Sequence, residues 1–309
     1  NSSYTLIQTN VYIRHGDRTQ WQPIPCFNGP QQLWECSETI AIQPTKQNNH
    51  TNFPAAFSFQ LSTMNGSNVL PGNCLIGQLT SIGYQQQITN GQGIRRRYVD
   101  TYQILPASFS SSADIDNLIL VRSDNSPRVQ QSAMAFFEGM YENLDNEAAE
   151  TFLIPFQTAD SQYQIMTPNT NVCPYLSTIR ELNQASAAYQ AHYNSITKPL
   201  LAQTSSFMAD PNATELTVYD CGTVFSCHNK SIPAAYTQDL YDQINADFAW
   251  YSMYGAFQPD YINATKYNNG PFLKLVFGRL YQAMMKHMKG AEMLGDEDVY
   301  KMYLYGGHE

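Results

Sequence analysis

Arg14-His15-Gly16-Asp17-Arg18, RHGDR in one-letter code, follows directly on Tyr4 to Ile13, where Leu6, Ile7, Val11 and Ile13 alternate in part with polar residues. The stretch reads as a strand that ends where the charges begin. The same arrangement recurs twice. Leu118-Ile119-Leu120-Val121 is a continuous apolar run of the kind that suits a strand buried on both faces, and Arg122-Ser123 ends it. Val299 to Tyr305 is an aromatic-rich strand that finishes in Gly306-Gly307-His308-Glu309. Open α/β sheets hold their ligand sites outside the carboxyl ends of the strands, so these three charged ends are expected to converge. The predicted class is therefore α/β, a mainly parallel sheet flanked by helices in three layers.

The helical signals agree. Thr80 or Ser81 is placed to cap a helix running to about Tyr98, with Ile82, Ile88, Ile94 and Tyr98 on one face. Arg95, Arg96 and Arg97 read as solvated charges closing that helix. Ser126-Pro127 opens a second helix, with Val129, Ala133, Phe136, Phe137 and Met140 inward. From Asn143 to about Asn269 the pattern is helical and loop-rich, Ile179 to Tyr193 being its clearest helix, and a further helix runs from about Pro271 to His287. The expected organisation is an α/β domain of residues 1–142 and 270–309, interrupted by a mainly helical cap domain of residues 143–269. Trp21 to Gly72, rich in Pro, Asn, Gln and Ser, reads as a surface excursion pinned by Cys26 and Cys36, and a poor candidate for core.

Composition narrows the function classes. The 309 residues are 43% hydrophobic and carry a net charge of −9 with only 17 Lys and Arg, so nothing favours nucleic acid or anionic lipid as a partner. An anionic ligand must be held by a local cluster. Cys26, Cys36, Cys74, Cys173, Cys221 and Cys227 lack paired zinc-ribbon or redox spacing, and read as disulfide candidates. Cys26 with Cys36 and Cys221 with Cys227 are plausible local pairs among fifteen connectivities. Sequons begin at Asn1, Asn49, Asn65, Asn212, Asn229 and Asn263. Together with an even cysteine count they point to the secretory pathway, with a lysosomal or extracellular destination. No apolar stretch is long enough to span a membrane, and the first residues lack the basic and apolar parts of a signal peptide, so the chain is expected to be a processed one.

Four ordered segments, Arg14 to Thr19, Gly77 to Gly83, Val121-Arg122-Ser123 with Arg128 downstream, and Tyr305 to Glu309, resemble those of the histidine acid phosphatases, the two-domain branch of the histidine phosphatase superfamily. The resemblance implies a phosphoglycerate mutase-like fold and hydrolysis of phosphate monoesters through a phosphohistidine on His15. Arg14, Arg18, Arg122 and His308 would hold the phosphoryl oxygens, and Glu309 would be the general acid. Guanidinium forks suit phosphate oxygens, and the cations would keep His15 neutral in acid. No metal and no cofactor is implied. Small phosphomonoesters or phosphorylated proteins would be the substrates, and a homodimer comes into consideration because family members often form one.

The chain departs from the family pattern in having Glu309 where Asp is usual and Gln20 where Pro is usual. Family members also continue well past the His-acid pair, so the last part of the α/β domain is expected to lie beyond Glu309. Two alternatives accompany the acid phosphatase reading. One is an inositol polyphosphate phosphatase, or phytase, against which the sparse basic residues argue. The other is a catalytically weak, glycosylated structural or binding protein on the same fold. His50, His192, His228 and His287 match no motif and read as ordinary histidines.

Overall fold

A computed structural model describes residues 5–22, 25–37, 41–42, 59–60, 68–141, 154, 156–257, 271–294 and 300–308. Among these the chain runs through β1 (Thr9–Arg14), β2 (Ala41–Ile42), β3 (Phe59–Gln60), α1 (Ser81–Arg95), α2 (Ser112–Leu118), β4 (Ile119–Ser123), α3 (Pro127–Met140) and β5 (Phe156–Gln157). It continues through α4 (Tyr175–Ala185), α5 (Ala187–His192), α6 (Lys198–Thr204), α7 (Glu215–Cys227), α8 (Gln238–Phe257), α9 (Pro271–Leu294) and β6 (Met302–Gly307).

The main sheet has the order β1-β6-β4-β5 with every neighbouring pair parallel. Its central strand explains the layering. All six positions of β6 are buried, and successive side chains point to opposite faces. Met302 and Leu304 pack with Ile13, Val121, Ala133 and Phe136, the last two from α3, whereas Tyr303 and Tyr305 pack with Met166 and with Leu280 of α9. The strand thus ties two apolar layers together, each Met or Leu side chain contributing roughly 1.5–3 kcal/mol. The expected inward residues of α3, from Val129 to Met140, are all buried. β5, although only two residues long, adds to the sheet from within residues 143–269.

Several expectations need correction. α1 is capped by Thr80, whose hydroxyl accepts from the Gly83 amide at 3.1 Å, but at Arg96 it widens into a π-helical stretch reaching Thr101. Arg95 is no solvated terminus. Its Nη1 donates to the Met140 carbonyl at 2.8 Å and its guanidinium lies over Tyr141, so it caps the end of α3. The helix expected over Ile179 to Tyr193 is broken at Ser186, which takes an extended conformation and caps α5 through its hydroxyl. The Trp21 to Gly72 excursion is not merely surface. Cys26, Phe27, Trp34, Cys36 and Leu70 are buried in one cluster with Val218, Cys221 and Phe225 of α7 and Leu240 and Ile244 of α8.

That burial also sets the cysteine pairing. The disulfides are Cys26–Cys221 and Cys36–Cys74, not the local pairs, and Cys173 and Cys227 are free thiols. Packing of Phe27 against Phe225 carries Cys26 to α7, and the Trp34–Gly72 bridge brings Cys36 beside Cys74. Of the sequons, Asn212 and Asn229 are described and exposed, while Asn1, Asn49, Asn65 and Asn263 lie outside the described residues. Among the described residues no helix is long and apolar enough to cross a membrane.

Candidate active site

The turn after β1 is built on the parallel register. Arg14 pairs with Gly307, and the ladder continues one step further, the His15 amide donating to the Gly307 carbonyl at 3.0 Å. His15 and His308 therefore leave adjacent strands side by side, their rings 5.2 Å apart and nearly perpendicular. The Gly16 amide donates to Ser132 Oγ of α3 at 3.0 Å. A Cβ on Gly16 would lie 2.2 Å from the Gly83 carbonyl oxygen, and one on Gly83 would lie 2.1 Å from that of Asp17. Only glycines allow this approach of the turn to the first turn of α1. Pairing of Arg18 with Leu79, and the Gly77 amide donating to the Gln20 carbonyl at 2.9 Å, tie the far side of the turn to the segment before α1. Gln20, which stands where the family usually has Pro, is buried, and its Nε2 donates to the Gln22 carbonyl.

His15 is 5% exposed. Its Nδ1 is 2.7 Å from the Gly16 carbonyl, which can only accept, so in the neutral ring Nδ1 carries the hydrogen and Nε2 the lone pair. Burial, with further depression by Arg128, Arg14 and His308, lowers its pKa from 6.5 to about 3, against the opposing pull of the Gly16 carbonyl. His308 is anchored from behind, its Nε2 facing Oδ2 of the buried Asp124. The other Asp124 oxygen accepts from the Ser126 amide at 2.8 Å, so one carboxylate orients His308 and shapes the entry to α3.

Arg18 pairs with Asp220 of α7 at 2.9 Å, and the second Asp220 oxygen accepts from the Trp21 amide at 2.9 Å. Asp17 Oδ2 accepts from Thr80 Oγ1 at 2.5 Å and stands 2.6 Å from Nε2 of His228, just past the end of α7. The helical unit thus meets the turn through Asp220 and His228. His228 is the exception among the unassigned histidines. His192 is held by Asp247 and stacks on Trp250, His287 bonds Tyr305 and stacks on Tyr303, and His50 lies outside the described residues.

The fourth cation is not where the strand end suggested. In β4, Val121 faces α3, so alternation puts Leu120 and Arg122 on the opposite face, and Arg122 acts electrostatically on His287 and Tyr305. Arg128, in the first turn of α3, stands beside His15 instead, in the company of Arg14, Arg18, Asp124 and Asp220. Burial first, then Arg18 and Arg14, lower its pKa to about 10, which leaves it cationic at neutral pH. Its Nε is buried with no hydrogen-bond partner among the described residues. A buried, unpaired donor on a cation next to other cations is suited to an anion. Glu309 lies outside the described residues. An open cleft of about 1110 Å3 runs between β1 and α1 and reaches Arg14 and His15.

The sequence profile of branch 2 of the histidine phosphatase superfamily matches residues 5–309. The chain belongs to this family. Counting factor 60 of Dictyostelium discoideum is 29% identical over 260 residues, covering 81% of this chain and 60% of that protein. The 2-phosphoxylose phosphatase 1 of Mus musculus is 30% identical over 152 residues, 46% of this chain and 29% of that protein. The chain therefore spans less than two thirds of the length of these curated relatives. Among solved structures, the apo form of Hafnia alvei phytase aligns with a TM-score of 0.55 at 13% identity, covering 99% of this chain and 72% of its own, a likeness of fold.

Proposed function

We propose that the protein hydrolyses phosphate monoesters through a phosphohistidine on His15. The observation that carries this reading is a buried imidazole with its Nδ1 fixed on the Gly16 carbonyl and Arg14 and Arg128 beside it. A phosphoryl group would sit between Arg14, Arg18, Arg128 and His308. His15 Nε2 attacks phosphorus, the bond from phosphorus to the ester oxygen breaks, and the departing alkoxide takes a proton from an acid, a role assigned to Glu309 by its place next to His308. Water then attacks the phosphohistidine, giving inorganic phosphate, returning the lone pair to His15 and its proton to the acid. The guanidiniums stabilise charge on the equatorial oxygens, and loss of one such donor typically costs 10²–10³-fold in rate.

The substrate class follows from a shallow supply of cations: one phosphoryl group is provided for, and a polyphosphorylated substrate would find little further positive charge on a chain of net charge −9. The named substrate of the mouse relative makes sugar phosphates members of that class. Two disulfides support an oxidising compartment, and exposed Asn212 and Asn229 support glycosylation there. A second reading, phosphate binding without turnover, is favoured by the relative that aligns over most of the chain, whose name specifies no phosphatase activity.

The test is hydrolysis of 4-nitrophenyl phosphate without added metal, from about pH 3 to about pH 8, by the folded protein and by His15→Ala. Turnover in acid that disappears in the variant is expected. Phosphate binding by a wild-type protein that never turns over would favour the second reading.

A further inference from the structure

Trp21 stands at the edge of the cationic cluster with no part in the chemistry above. It is 49% exposed, a large share for an indole that is so firmly placed. Its amide is held by Asp220, and a Cβ on Gly77 would come within 3.5 Å of the ring. The Arg128 guanidinium lies 5.1 Å and the Arg18 guanidinium 5.9 Å from the ring centroid, so two of the three arginines of the site flank one aromatic face or edge. Asp220 holds both Arg18 and the Trp21 backbone, and so ties the cation and the residue that carries the ring to one carboxylate.

We infer, on the phosphomonoesterase reading, that Trp21 is a specificity-determining residue: an aromatic platform on which the leaving group of the substrate packs while Arg18 and Arg128 hold its phosphoryl group. A phosphate held by those two guanidiniums would lie beside the indole that they flank, with its leaving group free to reach the ring. A leaving group with a flat ring would cover the exposed indole surface, while a short alkyl group would leave it in water. The site therefore selects phosphomonoesters of ring-bearing alcohols and phenols over those of small acyclic ones.

The experiment compares binding of inorganic phosphate, methylphosphonate and phenylphosphonate, none of them hydrolysable, by calorimetry in the wild-type protein, Trp21→Ala and Trp21→Phe. Wild type is expected to bind phenylphosphonate about threefold to tenfold more tightly than methylphosphonate. Trp21→Ala is expected to abolish that preference while changing phosphate and methylphosphonate by less than about twofold, and Trp21→Phe to keep most of it. Trp21→Leu, with apolar bulk but no ring, serves if the alanine variant does not fold. Equal weakening of all three anions would mean that the indole only positions the arginines, and would overturn the inference. So would a wild type without preference, or a preference surviving in the alanine or leucine variant. Failure of wild type to bind any of the three would instead remove the phosphate site, and the phosphomonoesterase reading with it.

Discussion

The surroundings of His15 disfavour its protonation, which is what the proposed nucleophile needs in acid. With a folded pKa of about 3 against 6.5, the native state binds fewer protons than the unfolded chain between those values. This group's contribution to stability is therefore greatest above about pH 6.5 and declines as pH falls toward 3. Imidazole nitrogen NMR should find His15 neutral, with the hydrogen on Nδ1, down to about pH 4; a midpoint near 6.5 would contradict the burial and cation effects. The arginines separate just as clearly. Arg128→Ala is expected to lower kcat/KM by about 10²–10³-fold and Arg122→Ala by no more than several-fold, measured on one aryl phosphate. The reverse order would restore Arg122 to the site. Arg122 ends a strand whose neighbour β6 runs directly into His308 of the candidate site, and so shares that edge of the sheet. The unbroken run Leu118 to Val121 concealed which face each residue takes, and only the packing of Val121 against α3 reveals it.

At the scale of elements, the turn from His15 to Arg18 is held by α1, α3 and α7 at once, through Gly83, Ser132 and Asp220. Gly83→Ala drives a Cβ into the Asp17 carbonyl, a backbone collision that no rotamer change relieves. A loss of about 1–3 kcal/mol or more in the denaturant midpoint stability is expected, together with weaker phosphate binding; an unchanged midpoint would show that the turn does not depend on this contact. Cys26–Cys221 closes 195 residues and Cys36–Cys74 closes 38, so chain entropy ranks the first as the more stabilising, by about 1.5 kcal/mol in that model. Cys→Ser pairs compared by thermal unfolding would show that order, and the opposite order would place more weight on local packing. The three strand ends and the two helices opening at Ser81 and Pro127 were legible because each is a local pattern. The cysteine pairing was not, because Phe27, Trp34 and Leu70 are too few and too far apart to mark Trp21 to Gly72 as core, yet each fills the cluster against α7.

Over the whole molecule, the division of labour is between a parallel sheet that presents His15 and His308 on adjacent strands and a helical unit that reaches the same turn through Asp220 and His228. The first half of that arrangement could be read from RHGDR and GGHE. The second half could not, since Asp220 and His228 sit in no motif and acquire meaning only when α7 packs behind the turn. On the proposed reading, a chain of net charge −9 would bind phosphate through the local cluster of Arg14, Arg18 and Arg128 rather than through a general positive field. The most direct measurement is therefore rapid alkaline quenching of the protein during turnover of an aryl phosphate, followed by peptide mass spectrometry. One phosphoryl group on His15, absent from His15→Ala and removed by continued incubation, is expected. Turnover with no phosphorylated His15 at any time, or with the phosphoryl group on another residue, would contradict the mechanism.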